Sequence, residues 1–297
     1  MTTVVLPLAI AFIMFTIGLG LTLADFKRVI VIPKGISIGL VNLILISPLL
    51  AFGIAEVFNL DPLMAVGLVL LGASPGGTLA NMLTHLAKGE TALSVTMTAI
   101  SSITAVVTIP LFFSLANNYF GAGGSLEVSE MWSVVIRTFL ITVVPLSIGM
   151  FVRSRAPVWT DRTKNGISKA AVVVFVLVVI GAVASEWSLI TDNLARVAAA
   201  AVTLNIVAMT FSFSVSKVAR LSDRQATAIA LELGVHNGTV AIAVAAIIAD
   251  VSPTIGDELL IPAAVYSLFQ FVTGGLFAWF MSKRNAPAAD SAFTEPA

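Results

Sequence analysis

Long apolar stretches, each bounded by charged or turn-forming residues, occupy most of the chain. A helix of roughly 20 apolar residues is long enough to cross a bilayer. Nine stretches approach or exceed this length, near 4–23, 36–58, 63–87, 91–116, 131–152, 168–185, 194–218, 225–249 and 259–282. The pattern predicts an all-α polytopic membrane protein with nine transmembrane helices.

The third and eighth stretches are each interrupted near the middle by polar residues and glycines. The third contains Ser-Pro-Gly-Gly-Thr-Leu-Ala-Asn at 74–81, and the eighth contains Leu-Glu-Leu-Gly-Val-His-Asn-Gly at 231–238. A helix broken inside the membrane exposes unpaired backbone groups, which are tolerated only where protein or a water-filled cavity covers them. Two such helices in corresponding halves of a chain indicate the binding site of a transporter.

Basic residues are distributed unevenly between the connections that these stretches define. Fourteen of the 16 Lys and Arg residues fall on one side of the membrane, and only Arg137 and Arg196 fall on the other. Because cytoplasmic connections carry the excess of Lys and Arg, the N-terminus is predicted outside and the C-terminus in the cytoplasm. The two interrupted helices then run in opposite directions, which is typical of inverted repeats, here of four and five helices.

Composition supports the membrane class and narrows the chemistry. Hydrophobic residues make up 58% of the chain and charged residues 11%, whereas soluble domains carry about 25% charged residues. The absence of cysteine excludes disulfides and thiolate chemistry. The balance of 16 basic and 16 acidic residues argues against a nucleic-acid partner.

The organisation along the chain is simple. We expect residues 1–284 to form one transmembrane unit and the polar residues 285–297 to form a disordered cytoplasmic tail. No basic region precedes the first apolar stretch, so it is interpreted as a retained helix rather than a signal peptide. The predicted location is the cell membrane, most simply a bacterial inner membrane. Nothing in the sequence indicates an obligate protein partner.

The two interruptions bring together groups that bind ions. A half-helix that begins inside the membrane presents free N–H groups and the positive end of its dipole, which suits an anionic substrate. Such ends are predicted at residues 77–78 and 237–238. Glu232 and the unwound carbonyls of Leu233 and Val235 are oxygen ligands suited to a small cation.

Hydroxyl groups on the fourth helix extend this set of oxygens. Ser94 and Thr98 are four residues apart, so they share one face of a helix, and Asn81 follows the first interruption. A carboxylate, an amide and two hydroxyls fit a sodium site. Alternatively, Ser94 and Thr98 bond the carbonyls four residues before them, and Asn81 only joins helices.

Several motifs resemble the bile acid:sodium symporter family. In the first half these are Pro-Gly-Gly-Thr-Leu-Ala-Asn at 75–81, Leu-Ala-Lys-Gly at 86–89 and Ala-Leu-Ser-Val at 92–95. In the second half they are Glu-Leu-Gly-Val-His-Asn at 232–237 and Pro-Ala-Ala-Val-Tyr-Ser at 262–267. The resemblance covers nearly the whole chain. It implies a nine-helix form that lacks the first helix of the ten-helix bacterial members.

By resemblance, the two interrupted helices cross within a core domain of about 34–117 and 194–282, which moves against a panel domain of about 4–23 and 131–185. The resemblance also implies a first sodium site and a substrate site. The sodium ligands are Asn81, Ser94, Thr98 and Glu232, with Ala80 in place of the family's usual serine. The substrate-binding positions are Thr78, Asn237 and Gly77.

The resemblance implies a second sodium site that has changed in this chain. Its ligands would be Glu232, Leu233, Val235 and His236, where the family usually has glutamine at the last position. A further glutamine of that site falls on Leu43. Because two side-chain ligands differ, we expect one sodium ion rather than two. His236 is then a neutral hydrogen-bonding residue, a proton carrier or a residual sodium ligand.

The resulting hypothesis is a secondary active transporter. It couples sodium entry to import of a small or amphipathic organic anion, which is bile acid-like, pantoate-like or another carboxylate, by alternating access. One alternative is a proton-coupled or sodium-independent anion transporter that uses Glu232 and His236. Another is a membrane protein that binds its ligand without transporting it.

An enzyme is not expected. Gly-Ala-Ser-Pro-Gly at 72–76 fits the G-x-S-x-G pattern of serine hydrolases, but that motif requires a strand followed by a tight turn and a helix. Here it lies inside an apolar helix.

Overall fold

The computed structural model describes residues 2–31, 33–122, 128–185, 187–251 and 257–285. These residues form helices, and no strand occurs among them, which confirms the all-α class. The helices are α1 Thr2–Gly20, α2 Leu23–Val31, α3 Pro33–Val41, α4 Ser47–Val57, α5 Pro62–Ala73, α6 Thr78–Leu86, α7 Thr91–Phe120, α8 Val128–Arg155, α9 Pro157–Ser185, α10 Trp187–Val218, α11 Asp223–Gly234, α12 Gly238–Val251 and α13 Ile261–Arg284.

Among the described residues, five helical segments are long and apolar enough to cross a membrane by length and composition. They are Pro33–Val57, Thr91–Phe120, Trp132–Arg155, Ala195–Val218 and Glu258–Arg284. Pro7–Gly20, Pro62–Ala73 and Gly238–Val251 are apolar but shorter. The number of nine crossings and the inverted repeat therefore stay predictions.

The connection between the first two apolar stretches contains a helix, α2, which the hydrophobic pattern did not predict. The side chain of Asp25 explains why α2 forms. Its Oδ2 accepts hydrogen bonds from the backbone N–H of Thr22 at 2.6 Å and from the hydroxyl of Thr22 at 2.7 Å. These bonds satisfy groups that the first turn of a helix leaves unpaired.

A π-helical turn, Asn42–Ile46, separates α3 from α4 and was not predicted from the sequence. The backbone N–H of Ser47 bonds to the carbonyl of Asn42, five residues earlier. Pro48 follows directly and has no N–H to contribute to the helix. Single π turns often lie at functional sites, and this one sets the orientation of Ser47.

Glycines allow α1 and α8 to pack at short distance. A Cβ atom on Gly18 would lie 2.1 Å from the carbonyl oxygen of Leu146, and one on Gly149 would lie 2.2 Å from that of Phe15. Small residues at such positions let membrane helices approach closely. α1 also packs on α9, whereas α10 packs mainly on α11 and α13, and α5 on α4 and α7.

The start of α11 is fixed by side chains at its first turn. Ser222 and Gln225 form a capping box, in which each side chain bonds the other's backbone N–H. Asp223 pairs with Lys217 and with Arg284, the latter at 2.9 Å. These bonds tie the first turn of α11 to the ends of α10 and α13.

The first residue of the predicted disordered tail, Asn285, forms hydrogen bonds with the helical part of the protein. Asn285 donates hydrogen bonds to the carbonyl of Ala87 at 2.9 Å and to the hydroxyl of Thr227 at 3.0 Å. The rest of that prediction, 286–297, lies outside the described residues.

The ion pairs of Asp223 give a pH-dependent contribution to stability. The Lys217 ammonium and the Arg284 guanidinium hold the pKa of the Asp223 carboxyl below its ordinary value of 3.8. A carboxyl with a lowered folded-state pKa stabilises the folded state above its unfolded-state pKa, and this stabilisation is lost as pH falls through the folded-state value. We expect Asp223→Asn to lower Tm at neutral pH. The difference in Tm should shrink as pH falls below 3.8 and vanish only below the lowered folded-state pKa. A difference that stays constant far below pH 3.8 would contradict the assignment.

Candidate functional site

The two helix interruptions meet and pair with each other at a contact that we call the crossing. Gly76 and His236 form an isolated antiparallel β-bridge. The backbone N–H of Asn237 donates a hydrogen bond of 2.8 Å to the carbonyl of Pro75. Each interruption thus satisfies backbone groups that the other leaves unpaired, as burial in a membrane protein requires.

Different residues break the two helices. In the first, Pro75 holds the preceding Ser74 in an extended conformation, with ψ 151°, so α5 ends there. The second contains no proline. There the carbonyl of Gly234 at the end of α11 accepts hydrogen bonds from the Asn205 amide and from the Tyr266 hydroxyl, the latter at 2.8 Å. These two donors replace the missing helical bond.

The four residues predicted for the first sodium site come together beside the crossing. Asn81 lies on α6, Ser94 and Thr98 on α7, and Glu232 on α11. The Ser94 hydroxyl oxygen lies 2.6 Å from Glu232 Oε1 and 2.7 Å from Asn81 Oδ1. The Thr98 hydroxyl oxygen lies 2.9 and 3.1 Å from Glu232 Oε1 and Oε2, and 3.2 Å from Asn81 Oδ1.

The number of protons in this cluster decides what it can do. Five close oxygen–oxygen contacts are present, but the two hydroxyls supply only one proton each. With Glu232 ionised and each proton placed between a single pair of oxygens, three of the five contacts have no proton between them. A cation among these oxygens removes that repulsion, and carbonyl, carboxylate and hydroxyl oxygens are ligands that hard cations prefer.

Burial of Glu232 makes a cation beside its ionised carboxylate favourable. Its side chain is fully buried, and no Lys or Arg in the part of the chain that the structure describes forms an ion pair with it. A buried, unpaired carboxylate is costly. The hydroxyls of Ser94 and Thr98 also bond across helices rather than to their own helix, unlike that of Ser102, which bonds the carbonyl of Thr98 at 2.7 Å.

Gly76 allows Glu232 to reach this position. A Cβ atom at residue 76 would lie 1.7 Å from Glu232 Oε2 and 2.8 Å from its Cδ. The carboxylate thus fills the space that a side chain at 76 would take. The sequence analysis identified Gly76 only as part of the interruption.

Both ring nitrogens of His236 form hydrogen bonds. Nδ1 lies 3.2 Å from the carbonyl oxygen of Ser74, and Nε2 lies 3.0 Å from the hydroxyl oxygen of Ser47. A carbonyl only accepts, so the proton is on Nδ1, and Nε2 of the neutral ring accepts from Ser47. No ring lone pair is then available to a metal ion.

The other predicted features of the second sodium site do not supply a side-chain ligand. Leu43 is buried in an apolar cluster with Leu93, Met97 and Leu233. Val235 is fully buried beside the crossing. Only Glu232 contributes a carboxylate, and that group already lies in the first cluster. Ser47, which holds His236, was missed in the sequence because its orientation depends on the π-helical turn before it.

The predicted substrate-binding residues surround the same crossing. Thr78 is the first residue of α6 and is exposed. A Cβ atom on Gly77 would contact the Cα of Asn237 at 3.5 Å, so these residues are neighbours across the crossing. The side-chain oxygen of Asn237 accepts a hydrogen bond of 2.6 Å from Thr239.

Comparison with known proteins decides the family of this protein. The model of the Sodium Bile acid symporter family matches residues 7–193, which is more than half of the chain. The chain belongs to the sodium bile acid symporter family. This result confirms the resemblance that the interruption motifs indicated.

Curated relatives of this family member are transporters. A sodium-dependent transporter of Bacillus subtilis, YocS, is 29% identical over 92% of this chain and 81% of its own length. The probable sodium/metabolite cotransporter BASS2 of rice is 26% identical over 95% of this chain, which spans 64% of the rice protein. The human ileal sodium/bile acid cotransporter is 25% identical over 98% of this chain and 85% of its own length.

These comparisons confirm a membrane transporter and not an enzyme, and they support sodium coupling. The geometry of the hydrolase-like motif agrees. The Ser74 hydroxyl donates to the carbonyl of Leu71 at 2.6 Å, and His236 contacts the carbonyl of Ser74 rather than its hydroxyl. Ser74 and His236 therefore lack the arrangement of a nucleophile and its base.

Proposed function

We propose that this protein is a secondary active transporter that couples sodium entry to the import of a small or amphipathic organic anion. The observation that carries the proposal is the oxygen cluster around Glu232, which has more close contacts than protons. The names of the curated relatives, which describe sodium-dependent transport, support sodium as the cation.

Sodium would act by fixing the crossing of the interrupted helices. Its ligands come from α6, α7 and α11, so one ion joins three helices through Asn81, Ser94, Thr98 and Glu232. The starts of α6 and α12 lie next to this cluster. With the crossing fixed, these helix N-termini and the side chains of Thr78 and Asn237 form the site for the carboxylate of the substrate.

Alternating access would require two parts that move relative to each other. We propose that α1, α8 and α9 form the panel, because they pack on one another, and that the remaining helices form the core around the crossing. The N-terminus lies outside and the C-terminus in the cytoplasm in this proposal, as the distribution of basic residues predicts.

Thermal stability of the detergent-purified protein in sodium and in equimolar choline tests the ion site. We expect a sodium-specific rise in Tm, followed by a further rise when carboxylates, including bile acids and hydroxy acids, are added in sodium. Stabilisation by low pH instead of sodium would favour proton coupling through Glu232 and His236. Binding without counterflow in proteoliposomes would favour a non-transporting binding protein.

The engaged ring of His236 and the apolar Leu43 predict that one sodium ion accompanies each substrate. One sodium ion and one monoanion carry no net charge. The membrane potential provides about 2.3 kcal/mol per charge per 100 mV, or roughly a 50-fold gradient, to a cycle that moves net charge. We therefore expect equal uptake by proteoliposomes at zero and at inside-negative potential. A clear rise at inside-negative potential would show that a second cation takes part.

A further inference from the structure

One ion pair joins α8 to α12, that is, the proposed panel to the proposed core. Arg137 Nη1 lies 2.6 Å from Asp250 Oδ2, and both side chains are about half exposed. α12 also packs directly on α8. The pair therefore bridges two parts that have to move relative to each other if the proposed function is correct.

The position of the pair along α12 places it at the outer surface. α12 begins at Gly238, beside the crossing, and Asp250 lies twelve residues further on. Twelve residues of helix span about 18 Å, which is close to half the thickness of a bilayer, about 15 Å. With the predicted orientation, Arg137 and Asp250 meet where the outer leaflet meets water.

The ion pairs at the opposite surface connect helices that would move together. Arg153 and Asp161 join α8 to α9, at 2.7 Å, inside the proposed panel. Asp223, at the start of α11, pairs with Lys217 at the end of α10 and with Arg284 at the end of α13, and all three helices belong to the proposed core. The Arg137–Asp250 pair differs from these because its partners lie on opposite sides of the boundary.

We propose that Arg137 and Asp250 form an outer clamp, which stabilises the conformation closed to the outside and breaks each time the transporter opens outward. An exposed pair contributes modestly, so the clamp shifts the conformational equilibrium and does not lock it. Its removal is expected to increase the outward-open population about two- to fivefold.

The absence of cysteine from the sequence makes the clamp directly testable. A single reporter, Thr78→Cys, places a thiol at the exposed start of α6, beside the crossing. Intact cells are treated with a membrane-impermeant maleimide, and the rate of labelling is measured. We expect Arg137→Ala and Asp250→Ala each to raise the rate about two- to fivefold. The double variant should match either single variant, because both remove the same interaction.

Arg196→Ala is the matched control. Arg196 is the other basic residue predicted outside, and it donates to the carbonyl of Asn59 at 3.3 Å, a contact between α10 and the α4–α5 connection, both in the proposed core. Its replacement should leave the labelling rate unchanged. The proposal would be wrong if Arg137→Ala, Asp250→Ala and Arg196→Ala changed the labelling rate equally, or if Arg137→Ala did not change it. An exchange of charges, Arg137→Asp with Asp250→Arg, should restore the parental rate.

A second experiment tests whether the pair has to separate. Cysteines in place of Arg137 and Asp250 are joined by a short bifunctional thiol reagent, in protein that carries no other thiol. We expect cross-linking to abolish sodium-driven counterflow and reductive cleavage to restore it. Full counterflow in the cross-linked protein would overturn the proposal. Labelling of Thr78→Cys requires no transport. If only the proposed sodium coupling is wrong, counterflow is absent but the labelling rates still change as described. If only the clamp is wrong, counterflow is present and the labelling rates do not change.

Discussion

Replacement of Glu232 by glutamine is expected to abolish the sodium-specific rise in thermal stability. Glutamine keeps the shape and one acceptor oxygen but removes the charge that compensates the cation. A ligand present at 100 times its Kd stabilises the folded state by about 2.7 kcal/mol, and this whole contribution should vanish. Thermal scans of both proteins over a sodium titration, with choline keeping ionic strength constant, measure the loss.

Glu56→Gln is the control for this substitution. Glu56 is exposed near the end of α4, so its replacement removes the same charge far from the crossing. It should retain the full sodium response. If Glu232→Gln kept the parental sodium response, the oxygen cluster would not be the sodium site. The same variant should also fail to drive substrate accumulation by a sodium gradient, because coupling requires the ion to bind.

Replacement of Gly76 by alanine is expected to have a comparable effect without changing any charge. The added Cβ would overlap the Glu232 carboxylate, 1.7 Å from Oε2, in a region where the carboxylate is fully buried. Overpacking of this kind costs about 1–3 kcal/mol. We expect a lower Tm in choline and the loss of the sodium response, because the carboxylate is displaced from Asn81, Ser94 and Thr98.

Gly77→Ala is the matched control, one residue away. A Cβ at Gly77 meets its nearest neighbour at 3.5 Å, an ordinary contact, and its φ of −136° suits any residue. The sodium response should survive in this variant, although substrate affinity is expected to change because Gly77 lies next to Asn237. Equal sodium responses in the two alanine variants would contradict the close approach of Glu232 to Gly76.

Local sequence was sufficient to identify the residues of the oxygen cluster around Glu232. Glu232 stands in an apolar stretch, where a charge costs roughly 2.5–3.5 kcal/mol on insertion scales, so a binding role was the simplest explanation. Ser94 and Thr98 share a face because helical periodicity requires it. The position of Asn81 just after the first interruption connected it to these residues, and the structure places the Ser94 and Thr98 hydroxyls within hydrogen-bonding distance of both Asn81 and Glu232.

The role of His236 could not be decided from the sequence around it. Three roles for His236 were left open, because a side chain's neighbours across the fold are not visible in its own segment. The choice depends on Ser47, which a π-helical turn orients, and on the carbonyl of Ser74 in the other interruption. Both contacts join residues far apart in the chain, by 189 and 162 positions.

The sequence by itself determined the class of the protein, the two helix interruptions and the four residues of the oxygen cluster. These follow from hydrophobic length, from Pro75 and from the cost of burying charge, all of which are local properties. Only the tertiary structure decided that the interruptions pair with each other, that Glu232 fills the space above Gly76, and that the ring of His236 has no free nitrogen. These features depend on distances between helices, which are set by the packing of the whole chain.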